Sequence, residues 1–455
     1  MSRKKITIIG AGLCGSLLGI LLAKKGYKIH VLEKRPDLRR ADISAGRSIN
    51  LALSDRGLNA LEMVGLKSEV EKLCIPMKGR LIHAKDGSTN FSPYSGRANE
   101  YINSVSRGGL NGLLLDKLDS FSNAKTHFNL GCDVIDVENS TIKCTNSKTS
   151  KSETFQSDII FGTDGAGSVV RQSMFNKFDK STSQLSQEFL AHGYKELSIP
   201  ADKNGGFRIE KNALHIWPRG SFMLIALPNL DGSFTVTLFL AYKGGEWSYE
   251  MLKDEATITK FFTSEFPDAL QHMPNLIEDF QQNPTGKLGT VKCSPWHIND
   301  KILLMGDAAH AIVPFYGQGM NASFEDVSVF NQILESNQNN WEGLFQKYQT
   351  KRKKDADAIA DLAIDNFYEM RDHVALPAFM KKRKIEMALE QNFPYDYYSK
   401  YSMVTFKPEM SYAEAMIKGR LQDEVLLEMC EDDTIENQDL KNILSTVNQK
   451  VEKRL

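Results

Sequence analysis

Nowhere in this 455-residue sequence do about 20 apolar residues run without interruption, so no membrane-spanning helix is expected. The six cysteines, at positions 14, 74, 132, 144, 293 and 430, include no Cys-x-x-Cys pair and do not cluster with the nine histidines. Neither a disulfide framework nor a metal site is expected, and the cysteines fit a reducing compartment. An excess of one charge is also lacking. With 56 Lys and Arg against 57 Asp and Glu, the net charge of −1 gives no field that favours nucleic acid or an anionic membrane. The apolar residues after Met1-Ser2-Arg3-Lys4-Lys5 are broken by glycines and followed by a charged helix end, unlike a secretory signal. Internal repeats and low-complexity segments are absent. What remains, 41% hydrophobic and 25% charged, is the composition of a cytoplasmic globular enzyme with two or three domains.

The pattern opens as strand, turn, helix, strand. Ile6-Thr7-Ile8-Ile9 is apolar and β-branched, Leu17 to Lys25 reads as a helix, and Lys28 to Leu32 reads as a second strand. Two later strands, Ser157-Asp158-Ile159-Ile160-Phe161 and Lys301-Ile302-Leu303-Leu304-Met305, also run into Gly/Asp turns, followed by helices at 168–175 and 321–335. Such junctions are where open α/β sheets place ligands. Between them, 213–217, 222–227 and 234–240 read as three antiparallel strands of a separate sheet, and the chain is helical beyond 335.

Gly10-Ala11-Gly12-Leu13-Cys14-Gly15 fits G-x-G-x-x-G directly after a strand and before a helix. The first glycine makes the turn, the second admits a pyrophosphate, and the third lets helix pack on strand. Glu33 closes the next strand, 18 residues beyond Gly15, where a carboxylate accepts ribose hydroxyls. A lone glycine turn is as compatible with no ligand as with one. Strand, helix and acid together point to a dinucleotide, without separating FAD from NAD.

The other junctions separate them. Gly162-Thr163-Asp164-Gly165-Ala166-Gly167-Ser168-Val169-Val170-Arg171 and Gly306-Asp307-Ala308-Ala309-His310 resemble the second and third fingerprints of the single-component FAD-dependent aromatic hydroxylases. Further segments narrow the resemblance to the members that hydroxylate L-kynurenine at its 3-position with NADPH and O2, a step of tryptophan degradation and pyridine nucleotide synthesis. They are Arg47-Ser48-Ile49-Asn50-Leu51-Ala52-Leu53, His192-Gly193-Tyr194-Lys195-Glu196-Leu197, Pro314-Phe315-Tyr316-Gly317-Gln318-Gly319-Met320-Asn321 and Tyr401-Ser402-Met403-Val404-Thr405-Phe406. The resemblance spans residues 5 to about 420. It implies an α/β fold: a Rossmann-like FAD-binding domain (1–75, 100–180, 290–370), a mostly antiparallel β-sheet substrate domain (76–99, 185–289) and a helical C-terminal cover (371–455). Eukaryotic members carry a hydrophobic anchor at the carboxyl terminus. This chain ends in charged helix and looks like a bacterial-type form with no membrane anchor; the oligomeric state stays open.

The resemblance also implies roles. Asp307 would bind the ribityl hydroxyls, and Asp164 lies at a junction that serves both nucleotides. Lys34, Arg35, Ala52, Arg107 and Leu130 join Gly10, Gly12, Leu13, Gly15 and Glu33 around the cofactor, as do Gly319, Met320 and Asn321. Reduced flavin would activate oxygen as its C4a-hydroperoxide, with Pro314, Phe315 and Gln318 at the reacting edge. The substrate carboxylate would meet Arg80, whose planar guanidinium suits it, with Tyr94, Tyr401, Asn366, Glu369 and Met370 around it. Taken alone, an arginine beside a glycine is usually a surface residue.

The ring slot is expected from the middle sheet. Leu214 and Ile216, then Met223, Ile225 and Leu227, then Thr237 and Phe239 alternate at period two and share one face. A core face would look the same. The basic runs 351–354 and 381–384 are followed by acids and read as solvated helix faces rather than phosphate sites. No second G-x-G-x-x-G follows a strand, so NADPH has no dedicated domain. The alternatives are another FAD-dependent hydroxylase or reductase on the same scaffold, and a flavin-binding regulatory protein that lacks the slot. A halogenase is disfavoured, since there is no Trp-x-Trp-x-Ile-Pro segment.

Overall fold

The computed structural model describes residues 4–40, 50–369, 377–432 and 434–455. Ile6, Ile8 and Ile9 fall in strand Lys5–Ile9, the centre of a six-stranded sheet. The strand order is His297–Ile298, Ile302–Leu304, Ile159–Gly162, Lys5–Ile9, Lys28–Leu32, Ala124–His127. All neighbours are parallel except the His297–Ile298 edge. Unbroken apolar strands suit a parallel sheet covered on both faces. Helix Leu13–Lys24 is buried from Cys14 to Ala23, because it lies between the sheet and helices Arg107–Asp119 and Gly319–Ser336. A helix buried all round needs apolar residues all round.

The second sheet has seven strands, in the order Gly286–Ser294, Gln184–Ile199, Phe234–Ala241, Met223–Pro228, Ala213–Pro218, Gly79–His83, Thr89–Pro93. Its only parallel pairing joins Ala213–Pro218 to Gly79–His83. The register aligns Ile216 with Ile225 and Thr237, Pro218 with Met223 and Phe239, and Leu214 with Arg80. The expected alternation therefore becomes one continuous face that carries Arg80 along with the apolar residues. The opposite face, with Trp217, Leu224, Val236 and Leu238, packs on Phe261, Phe262 and Phe266 around helix Glu255–Glu265.

On that rear face, His215 is fully buried between His83 (Nδ1 to the His83 Nε2, 2.9 Å) and the Glu210 carbonyl (2.7 Å). Burial pulls its pKa down to about 4. The unfolded chain therefore takes up this proton first, and stability falls as pH drops from about 6.5 to 4, by about 3 kcal/mol for this group. Urea unfolding of the parent and of His215→Gln checks this: the parent's advantage at pH 7 should shrink markedly by pH 4.5.

Beyond Gly319–Ser336 the described chain is helical: Leu344–Tyr368, Pro377–Asn392, Lys400–Phe406, Tyr412–Met429 and Leu440–Arg454. The last helices share a core of their own, with Ile385, Leu389, Val425, Leu426, Ile443 and Val447. Among the described residues no helix is long and apolar enough to cross a membrane. The two basic runs are not wholly solvated. Arg352 is 1% exposed and paired with Asp326 and Glu325, and Lys382 is 4% exposed and paired with Asp423. In a helix, one residue in each turn of such a run faces inward, and here a buried carboxylate meets it.

Candidate active site

Three strand-to-helix junctions meet at the carboxyl ends of the parallel strands. Gly10 has φ +101°, and a Cβ there would lie 2.6 Å from the Thr163 carbonyl oxygen. A Cβ on Gly15 would lie 2.0 Å from the Gly10 carbonyl oxygen, and one on Gly306 3.1 Å from the Cys14 Sγ. A Cβ on Gly12 meets nothing within 4 Å. Helix Leu13–Lys24 has no side-chain cap and no acid in its first turn, so its leading N–H groups suit an anionic pyrophosphate. Asn111, a buried residue the sequence reading did not single out, donates to the Ala11 carbonyl at 3.0 Å and holds the turn.

Glu33 is buried at the end of the second strand. Its Oε2 accepts from the Ala11 N–H (2.9 Å), and its Oε1 accepts from the Arg35 N–H and Nε (3.0 Å each). The Glu33 carbonyl accepts from the Leu130 N–H at 2.8 Å, which brings Glu33, Lys34, Arg35 and Leu130 together. Asp164 caps helix Val169–Phe175: Oδ1 accepts from the Ser168 hydroxyl (2.5 Å), and Oδ2 from the Val169 N–H (2.7 Å). Burial lifts its pKa. Arg171 crosses from this junction to donate to the Ala308 carbonyl (2.7 Å), beside Asp307. Burial raises the Asp307 carboxyl too, against the opposing charges of Arg107 and His310. Asn321 donates to the Ala52 carbonyl (2.8 Å) and accepts from the Ser54 N–H (3.0 Å), tying strand Asn50–Leu53 to the start of the helix that carries Gly319 and Met320.

On the slot side, the Arg80 guanidinium lies 4.4 Å from the ring centroid of Tyr401 and 5.2 Å from that of Tyr94. Tyr401 stacks on Tyr94 (5.7 Å) and on Tyr316 (5.4 Å). Glu369, the carboxylate that bears on Arg80, is itself paired with Lys400, and the buried hydroxyls of Tyr94 and Tyr316 have no hydrogen-bond partner among the described residues. Burial draws the Arg80 pKa down, but the oxygens of Tyr401, Tyr94 and Glu369 outweigh it and leave it raised. A fixed cation with orphaned hydroxyl donors beside it matches a ligand carboxylate.

Asn366 is buried and donates to the Phe315 carbonyl at 2.7 Å, while Glu369 pairs with Lys400 at 3.4 Å. Phe315 is buried against Phe239 (5.1 Å) and Phe367 (4.5 Å), and Pro314 is exposed at the start of the same short turn. Leu214, Ile225 and Leu227 pack with Tyr94 and Tyr401, and Met223 packs with Phe239 and Phe315. The space left among His192, Met223, Phe239 and Phe367 is about 10 Å³, the size of one water. Gln318 is 1% exposed, its Oε1 accepting from the Tyr412 hydroxyl at 3.0 Å. Met370 and Arg47-Ser48-Ile49 lie outside the described residues.

The sequence reading assigned no role to Tyr316, Phe367 or Phe406, although Tyr316 and Phe406 lie within quoted motifs and Phe367 follows Asn366. Nor did it find the grip on Tyr94. From helix Pro377–Asn392, Arg383 donates to the Tyr94 carbonyl (3.1 Å), and Glu390 accepts from the N–H groups of Gly96 (2.9 Å) and Ser399 (2.8 Å). Arg383 and Glu390 lie about 290 residues from Tyr94 and Gly96, and no local pattern marks those pairs.

Residues 3–363 match the family described as the FAD binding domain. The chain is 44% identical over 430 residues to a kynurenine 3-monooxygenase of Myxococcus xanthus, covering 94% of this chain and 91% of that one. It is 45% identical over 439 residues to one from Dictyostelium discoideum (94% and 93% covered) and 45% over 438 to one from Flavobacterium johnsoniae (95% and 95%). Among solved structures, the tetrameric form of 2-methyl-3-hydroxypyridine-5-carboxylic acid oxygenase superposes with a TM-score of 0.66 at 19% identity, over 87% of this chain and 98% of that one. Pseudomonas aeruginosa PqsL in complex with 2-aminobenzoylacetate gives 0.65 at 18% identity, over 82% and 97%. These two share the fold.

Proposed function

Because the chain belongs to the kynurenine 3-monooxygenases within the FAD-binding-domain family, we propose that it hydroxylates L-kynurenine to 3-hydroxy-L-kynurenine with NADPH and O2. The observation that carries the substrate is Arg80 beside the stacked pair Tyr94 and Tyr401, with the Tyr94 hydroxyl buried and unpartnered among the described residues. Kynurenine brings an aniline ring and an amino-acid carboxylate. In this reading the carboxylate takes the Arg80 fork and the two tyrosine hydroxyls, which fixes the ring over the face of Leu214, Ile216, Met223, Ile225, Leu227, Thr237 and Phe239. Asn366 holds the Phe315 backbone, and Glu369 closes the amino-acid end. Gln318, Phe315 and Pro314 lie at the reacting edge.

Bound FAD, reduced by NADPH, supplies the activated oxygen. Gly10, Gly12, Leu13 and Gly15 cradle it at the first junction, Glu33, Lys34, Arg35 and Leu130 at the second strand, and Arg107, Asp164 and Asp307 at the later junctions. Ala52, Gly319, Met320 and Asn321 close the end nearest the slot. In this reading residues 1–75, 100–180 and 290–370 form the flavin domain, 76–99 and 185–289 the substrate sheet, and 371–455 the cover. The cytoplasm is the compartment proposed, as fits the thiols left free among the described residues.

The test is mass analysis of the product from L-kynurenine, NADPH and O2 with the flavin-loaded protein. One added oxygen on the ring is the expected result; NADPH consumption with unchanged kynurenine would overturn the assignment. The apolar face has a second duty, to keep water out. Phe239→Ala opens the contact with Phe315. It should raise the share of NADPH lost to hydrogen peroxide several-fold and weaken kynurenine binding, both read from peroxide and product yields per NADPH.

A further inference from the structure

Gln318 begins helix Gly319–Ser336 with its side chain held from outside the slot. Its Oε1 accepts from the Tyr412 hydroxyl at 3.0 Å and from the Ser54 hydroxyl at 3.5 Å, while its Nε2 bonds to nothing among the described residues. Tyr412 is fully buried at the start of helix Tyr412–Met429, which a capping box between Ser411 and Glu414 fixes. The next residue, Ala413, donates its N–H to Asp355 at 3.1 Å.

Above the Tyr412 ring, at 4.0 Å, lies the guanidinium of Arg56, itself buried and fully engaged. Arg56 pairs with Glu325 (2.5 Å) and donates to the carbonyls of Val404 (2.9 Å), Lys407 (3.1 Å) and Met410 (2.5 Å). Glu325 pairs in turn with Arg352 (2.6 Å), and Arg352 with Asp326 (2.6 Å). Asp326 accepts from the Gly306 N–H (2.8 Å) and pairs with His310 (2.6 Å). One buried chain of charges thus runs from the Gly306-Asp307 junction to the hydroxyl that holds Gln318.

We infer that Tyr412 is a positioning residue for hydroxylation: its hydroxyl occupies the Gln318 amide oxygen and so leaves the amide nitrogen as the donor presented to the flavin edge. An amide can rotate to offer either end, and a fixed hydroxyl donor at the oxygen selects one of them. Burial pushes the Tyr412 pKa up, so the hydroxyl keeps its proton through the working range. Arg56 stacks on the ring and anchors it without touching the amide. The inference rests on the proposed function for its assignment of Gln318 to the flavin edge.

Tyr412→Phe removes one oxygen and leaves the ring under Arg56. It is compared with Gln318→Ala and with the double variant, all loaded with FAD and matched in thermal unfolding. Tyr412→Phe should lower kcat and the product formed per NADPH about tenfold, the scale of one lost hydrogen bond, with KM for L-kynurenine within about twofold. It should also shift the visible absorption of the bound flavin without any substrate. In the Gln318→Ala background the same substitution should change neither coupling nor spectrum. An unchanged kcat and spectrum in Tyr412→Phe, or equal effects with and without Gln318, would overturn the positioning role. Failure of the parent protein to hydroxylate kynurenine would overturn the substrate assignment instead, and the spectral arm still decides the role of Tyr412.

Discussion

Arg80→Met should raise the dissociation constant for L-kynurenine at least 100-fold while flavin content and thermal unfolding stay near those of the parent. Removing one partner of a desolvated ion pair typically costs about 3 to 5 kcal/mol, because the other charge loses water and gains nothing. The loss should be concentrated at this residue. The tyrosine hydroxyls beside it are neutral, and no other cation stacks on Tyr94 or Tyr401 among the described residues. Methionine keeps the bulk against the two stacked rings, so packing is largely spared. Arg80→Lys should recover only part of the affinity, since a point charge cannot grip both carboxylate oxygens. Titration calorimetry with the flavin-loaded protein reads both numbers, and an unaltered affinity in Arg80→Met would remove this residue from the site.

Gly12→Val and Gly15→Ala should fail in different ways. A side chain at 12 points into open space in the folded chain, so Gly12→Val should fold, remain soluble and purify colourless. A Cβ at 15 would stand 2.0 Å from the Gly10 carbonyl oxygen and 2.5 Å from the Thr163 Oγ1. Gly15→Ala must therefore move backbone in the first turn of a buried helix, and it should lose several kcal/mol of stability, of the order seen for overpacked cores. Absorbance at the flavin band and thermal unfolding distinguish the two. A yellow Gly12→Val protein with normal affinity would show that the pyrophosphate does not pass this glycine.

The contrast shows what sequence can carry. The three glycine junctions were legible because each is a local event, a strand, a tight turn and a helix within about a dozen residues, and only their meeting needed the fold. The slot face was legible as alternation, since a period of two fixes sidedness whatever the strands pair with. Alternation left core and ligand face indistinguishable, and what it could not supply is the register, which sets Arg80 opposite Leu214. Strand Gln184–Ile199 was not foreseen as a single element: its first half is largely exposed, and its pairing with Gly286–Ser294 lies about 100 residues away. Arg352 and Lys382 were read as solvated for a related reason. Their carboxylate partners sit on other helices, and charge counted along the chain cannot see them. Arg383, Glu390 and Tyr412 stayed invisible because their roles consist of distant backbone and side-chain contacts.

The grip of helix Pro377–Asn392 on the Tyr94 loop bears on the order in which the molecule comes into being. Every residue of the flavin cradle has left the ribosome once Asn321 has emerged, whereas Asn366, Arg383, Glu390 and Tyr401 follow later. Synthesis runs from the amino end, and domains fold as units as they appear. The nascent chain therefore holds a complete nucleotide cradle well before it holds a complete anchor for an amino acid. The order of emergence predicts that the proposed cofactor cradle is in place before the later helices close the proposed substrate pocket.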